Sequence, residues 1–174
     1  NVWKRVEAYA RDGFTALIHG KYYHEETRAT ASQVLKYPEG RYLVVRDMSE
    51  AEAVCAYLTS LGAGAVNAAA REAFIHRFAK AASPGFDPDA HLRRLGVANQ
   101  TTMLARESLE IGDVAGEAMA RAFGAEYRAA NFRTFDTICS ATQDRQDAVN
   151  ALLMEPLDAM IVVGGFNSSN TISL

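Results

Sequence analysis

The sequence predicts an α/β fold, made of small repeated units in which helices cover a parallel sheet. Three observations carry that prediction. Short apolar runs recur at 14–18, 42–45 and 159–163, and 132–135 reads as a further strand. Stretches with apolar residues three and four apart lie between them, and Gly, Pro and helix-capping residues mark the junctions. Strands alternating with helices give parallel sheets, because a parallel pair needs a long crossover and a crossover helix buries its apolar stripe on the sheet. The chain has 174 residues, 49% apolar and 22% charged, a globular composition with length for one domain or two small ones.

The first stretch places Val2, Trp3, Val6, Tyr9 and Ala10 at helical spacing. Residues 14–18 read as a buried strand that His19-Gly20-Lys21 interrupts, 25–34 as a helix, and 42–45 as a second strand. Ser49-Glu50-Ala51-Glu52 reads as a capping box. It opens a helix with Ala51, Val54, Cys55, Leu58 and Leu61 on one face and Gly62 as its stop. Residues 63–67 are small, 68–82 read as another helix closed by Ser83-Pro84-Gly85, and 84–88 as a linker. Val97-Ala98 is a short strand signal ahead of a long helix that turns Ile111, Val114, Ala118, Met119 and Ala122 inward and stops at Gly124. A strand at 132–135 leads through Asp136-Thr137-Ile138-Cys139-Ser140 into a helix ending near Glu155, since Pro156 blocks continuation. The run at 159–163 reads as a buried strand ending at Gly164-Gly165. Helix-capping residues follow it and the chain soon stops, so the sequence reads as an internal piece of a longer protein.

The formal charge of −3, from 18 basic and 21 acidic residues, argues against nucleic acid as the main partner. No apolar run approaches the ~20 residues of a membrane helix. Two cysteines, Cys55 and Cys139, do not make a disulfide scaffold and fit a reducing compartment.

Ligands of parallel sheets bind beyond the carboxyl ends of the strands. Four expected strand ends carry dense polar chemistry, in the loops around His24, Thr101, Cys139 and Ser168, and together they point to one convergent site. Cys139 stands where a helix begins, and the helix dipole favours its thiolate. It is a candidate nucleophile or metal ligand, or else a small buried cysteine. Cys55 has the spacing of a core residue. Tyr23-His24-Glu25-Glu26-Thr27 offers an imidazole for an anion and a carboxylate for proton transfer, or only an acidic helix start. Asn167-Ser168-Ser169-Asn170 suits a phosphate or diphosphate, or plain capping. Gln100-Thr101-Thr102 can reach a substrate hydroxyl or Glu26. His19, His76 and His91 show no supporting pattern.

Taken together, four motifs resemble those of one family. His19-Gly20-Lys21-Tyr22-Tyr23-His24-Glu25-Glu26-Thr27 is similar to the signature loop of the 4-hydroxy-3-methylbut-2-enyl diphosphate reductases, the LytB family. Ala98-Asn99-Gln100-Thr101-Thr102-Met103-Leu104, the run from Asp136 to Ala148 around Cys139, and the run from Val162 to Thr171 match three further motifs in family order. The resemblance covers essentially the whole chain. It is closest to the plant and cyanobacterial branch, which has a longer segment between Gly62 and Gly96.

The resemblance implies reductive removal of the hydroxyl of an allylic diphosphate, giving isopentenyl and dimethylallyl diphosphate, the last step of the non-mevalonate isoprenoid pathway. It implies three α/β domains around a [4Fe–4S] cluster held by three cysteines. Two of those domains would be represented here, at 1–95 and 96–174, both incomplete. Cys139 would be one cluster ligand, and the other two would lie upstream of Asn1. His24, Ser168, Ser169 and Asn170 would bind the diphosphate. Glu26 would deliver a proton to the leaving hydroxyl, and Thr101 or Thr102 would orient that relay. Reduced ferredoxin or flavodoxin would supply electrons, in the cytoplasm or, for a plant source, the plastid stroma. With one cluster cysteine, the chain alone is expected to be inactive. Two other readings use the same residues: a non-catalytic phosphate-binding module with a structural Cys139, and a thiol enzyme pairing Cys139 with His24.

Overall fold

The run Thr15–His19 lacks any alternation of polar and apolar residues, and all five residues are buried. A strand covered on both faces requires such a run. This strand, β1, lies inside the sheet of a computed structural model that describes residues 2–100, 103, 105–134 and 140–165. It pairs in parallel with β2 (Arg41–Val45) on one edge and β3 (Leu95–Asn99) on the other. β3 pairs with the two-residue β4 (Phe132–Arg133), giving the order β2-β1-β3-β4. Position 95/96, the expected domain division, falls at the start of β3 inside this continuous ladder. The four strands through Arg133 share one sheet. The expected strand at 132–135 is represented only by β4, with residue 135 outside the described residues.

Helices α1 (Val2–Arg11) and α2 (Glu25–Val34) pack together, as do α3 (Met48–Gly62) and α6 (Ala105–Phe123). The chain passes from β1 to β2 through α2 and back towards β3 and β4 through α3 and α6, and the right-handedness that such crossovers follow as a rule puts the two helix pairs on opposite faces. Val6, Tyr9, Leu17, Ile18, Val34, Leu43, Leu58, Ile111 and Met119 are all buried in the resulting core. Each such side chain contributes about 1.5–3 kcal/mol by leaving water. Tyr9 keeps its hydroxyl satisfied by donating to the Val97 carbonyl at 3.0 Å, which fixes α1 across β3.

Four local expectations change. Asp47, not Ser49, caps α3: its side chain accepts from the Glu50 N–H, while Glu50 accepts from the Arg46 N–H at 2.7 Å. The box is shifted two residues because its acid reaches past the cap. Helix α4 (Ala68–Arg77) stops before residue 82. The chain beyond it runs along β2, with Val44 N–H donating to the Ala81 carbonyl at 2.8 Å and Ser83 N–H to the Tyr42 carbonyl at 3.0 Å. An edge strand has unpaired backbone groups, and here they draw the segment out of the helix. Residues 84–88 are consequently no free linker. They lead into α5 (Pro88–His91), whose cap Asp87 pairs with Arg71 at 3.0 Å and whose Asp89 accepts from the Tyr57 hydroxyl. Finally, 159–163 is irregular, with Ile161 and Val163 87% and 92% exposed. An apolar run becomes a strand only beside a neighbour, and among the described residues none pairs with it. Helices α7 (Ala125–Asn131) and α8 (Ser140–Leu153) complete the description, α8 stopping short of Pro156 as expected.

Gly62 does more than end a helix. A Cβ there would stand 2.2 Å from the Ala122 carbonyl oxygen, so the missing side chain sets how closely α3 approaches α6. Gly62→Ala is expected to destabilise the fold by about 1–3 kcal/mol in urea unfolding followed by circular dichroism. Gly112→Ala, whose Cβ would meet nothing nearer than 3.9 Å, is expected to be neutral or stabilising. Equal effects of the two would contradict this account of the helix contact.

Candidate functional site

Parallel strands deliver their loops to one edge. His19 and Asn99 stand opposite each other at the carboxyl ends of β1 and β3, so the segments starting at Gly20 and Gln100 leave the sheet side by side. Gln100 N–H donates to the His19 carbonyl at 2.8 Å, and Gly20 N–H to the Val45 carbonyl at 2.9 Å. The Gln100 side chain then joins the two motifs. Its Oε1 accepts from the Thr27 hydroxyl at 2.9 Å and from the Lys21 N–H at 3.3 Å, with both side chains buried. A Cβ on Gly20 would lie 2.7 Å from Thr27 Oγ1 and 3.1 Å from Gln100, so this crossing admits only glycine. The Gln100 oxygen thus serves the loop itself.

His24 and Glu26 are brought together at the start of α2. His24 is its N-cap, and Nδ1 accepts from the Glu26 N–H at 3.3 Å. A neutral ring used this way has its proton on Nε2 and presents a donor. Glu25 and Glu26 occupy the first turn, where the helix dipole favours carboxylates. Tyr22 and Tyr23 flank the loop as an exposed edge-to-face pair, with centroids 5.3 Å apart.

Behind this loop lies a cluster that sequence reasoning missed. The His19 ring is fully buried, with Nδ1 2.8 Å from Ser108 Oγ and Nε2 3.8 Å from Glu107 Oε2. The other oxygen of Glu107 accepts from the Met48 N–H at 3.2 Å, at the start of α3. Burial pushes the His19 imidazole below its ordinary value, while Glu107, the Arg46 backbone and Asp47 pull the other way. The available signal was a histidine closing an otherwise apolar strand.

Thr101, Thr102, Cys139, Ser168, Ser169 and Asn170 lie outside the described residues. Cys55 is buried in the core, and burial pushes its thiol up to about 11, which suits packing and not ligation. Among the described residues no group of three or more His, Cys, Asp or Glu side chains could hold a metal, and no helix is long and apolar enough to cross a membrane.

Two outcomes are expected. Gln100→Leu leaves the Thr27 hydroxyl and the Lys21 N–H without their shared acceptor, and should lower stability by roughly 1–3 kcal/mol in chemical denaturation. The folded state binds the His19 proton less tightly than the unfolded chain does. The stability His19 supplies is therefore complete above about pH 6.5 and is lost as pH falls below it. The melting temperature should decline between about pH 7 and 5, and His19→Asn should flatten that part of the curve.

The LytB protein family model matches residues 1–174. The chain is 51% and 53% identical over 173 residues to 4-hydroxy-3-methylbut-2-enyl diphosphate reductases of Synechococcus sp. strains RCC307 and CC9605, and 49% identical to that of Thermosynechococcus vestitus. Each match covers 99% of this chain and 40% of the relative, so the chain spans about two fifths of their length. No solved structure matches it. The chain belongs to the LytB family.

Proposed function

We propose that the polypeptide containing this chain is an iron–sulfur reductase that converts 4-hydroxy-3-methylbut-2-enyl diphosphate into isopentenyl and dimethylallyl diphosphate. The observation that supports this most is the pairing of motifs at the sheet edge. The His24–Glu26 loop and the segment opening with Gln100 leave adjacent strand ends in register, joined through Thr27 and Gln100. Overall the reaction takes up two electrons and two protons, breaks the allylic carbon–oxygen bond and releases water.

In this reading each residue has one task. The Nε2–H of His24 donates to the diphosphate, and its ring is held in that tautomer by the Glu26 N–H. Ser168, Ser169 and Asn170 supply further neutral donors to the same group. Glu26 gives its proton to the departing hydroxyl, with Thr101 or Thr102 orienting the transfer. A [4Fe–4S] cluster, with Cys139 as the ligand from this chain, supplies electrons and Lewis acidity. The described residues contain no competing ligand set. Reduced ferredoxin or flavodoxin serves as donor, in the cytoplasm or plastid stroma.

The test is anaerobic turnover of the allylic diphosphate by the full-length, cluster-loaded protein with a chemical reductant. Cys139→Ser should abolish conversion, and Glu26→Gln should slow it roughly 10²–10⁴-fold. Absence of conversion by protein shown to contain its cluster would refute the reading.

A further inference from the structure

We infer that His19 is a positioning residue for this site, tying the exit of β1 to the start of α6 through a neutral imidazole that accepts the Ser108 hydroxyl proton at Nδ1 and carries its own proton on Nε2. The inference deepens the reductase reading and rests on it for the catalytic consequence.

The tautomer follows from the surroundings. Nε2 faces Glu107 Oε2 at 3.8 Å and makes no hydrogen bond there. A bare lone pair pointed at a carboxylate is repelled, whereas an N–H is attracted, so the proton belongs on Nε2. Nδ1 is then the acceptor in the 2.8 Å contact, and Ser108 donates. Packing alone does not call for an imidazole: an aliphatic side chain would fill the end of β1 without burying two ring nitrogens, which is costly unless they are used.

The placement gives the ring its task. His19 is the last residue of β1, immediately before Gly20 and the segment leading to His24. Glu107 and Ser108 lie at the start of α6, the helix that follows the segment after β3. Glu107 also receives the Met48 N–H at the start of α3, which follows β2. One buried side chain and its two neighbours thus link the exit of β1 to the starts of α3 and α6. Misplacing catalytic groups by about 1 Å can cost on the order of 10²-fold in rate.

The test uses the full-length, cluster-loaded protein with ¹⁵N-labelled histidine. The His19 signals should report a neutral ring protonated at Nε2, and Ser108→Ala should speed amide exchange at residues 20–24 more than in α1. Ser108→Ala and His19→Leu should lower kcat/KM per cluster roughly tenfold or more, while His19→Asn, which keeps an acceptor where Nδ1 stood, should stay within about threefold of the unmodified protein. A ring protonated at Nδ1 would overturn the inference. So would variants that melt earlier yet keep kcat/KM unchanged, because that is the signature of a purely structural residue. If the unmodified protein shows no turnover, the reductase reading fails, and the tautomer and the exchange pattern still decide the geometry assigned to His19.

Discussion

β1 is hydrogen-bonded along both edges and covered on both faces, and this confinement governs everything at the carboxyl edge of the sheet. A strand so enclosed cannot let its last residue reach water, so His19 is buried although it is a histidine. The next residue meets Thr27 and Gln100 where a side chain would stand, so it is glycine. Only after that does the chain have room to turn outward, and it does so through Tyr22 and Tyr23 into the His24 cap. The loop with the candidate binding chemistry is therefore short and tied at both ends.

The ties are hydrogen bonds between buried or half-buried groups: Thr27 to Gln100, Lys21 N–H to Gln100, and the His19–Ser108 pair. Such bonds contribute modestly when made and are expensive to leave unmade, so they hold geometry more effectively than their net energy suggests. The ion pairs elsewhere, such as Lys36 with Glu7 or Arg106 with Glu110, join largely exposed side chains and contribute little. Position at this edge is set by the interior.

Much of the architecture was legible from the chain. The uniform apolar run of β1, the 25–34 helix and the inward stripe of α6 all appear where local pattern places them. The failures have a common cause, which is dependence on a distant partner. Residues 78–83 leave helical geometry because β2 has an open edge, and the α3 cap falls at Asp47 and not Ser49. The run at 159–163 has strand composition but no paired neighbour among the described residues. At the site, the closeness of His24 and Glu26 was readable because they lie two positions apart in one contiguous segment. The buried roles of Gln100 and His19 were not, since their partners stand 73 and 89 positions away in sequence.

The segment at 81–83 that runs antiparallel along β2 has a consequence for how this protein can meet other chains. It occupies the outward-facing backbone groups of Tyr42 and Val44, the positions an intruding extended peptide would need. The sheet is thereby closed to extension at that flank. An uncovered edge strand presents a ladder of unpaired hydrogen-bonding groups to other chains, and the segment before Pro84 takes up those of Tyr42 and Val44.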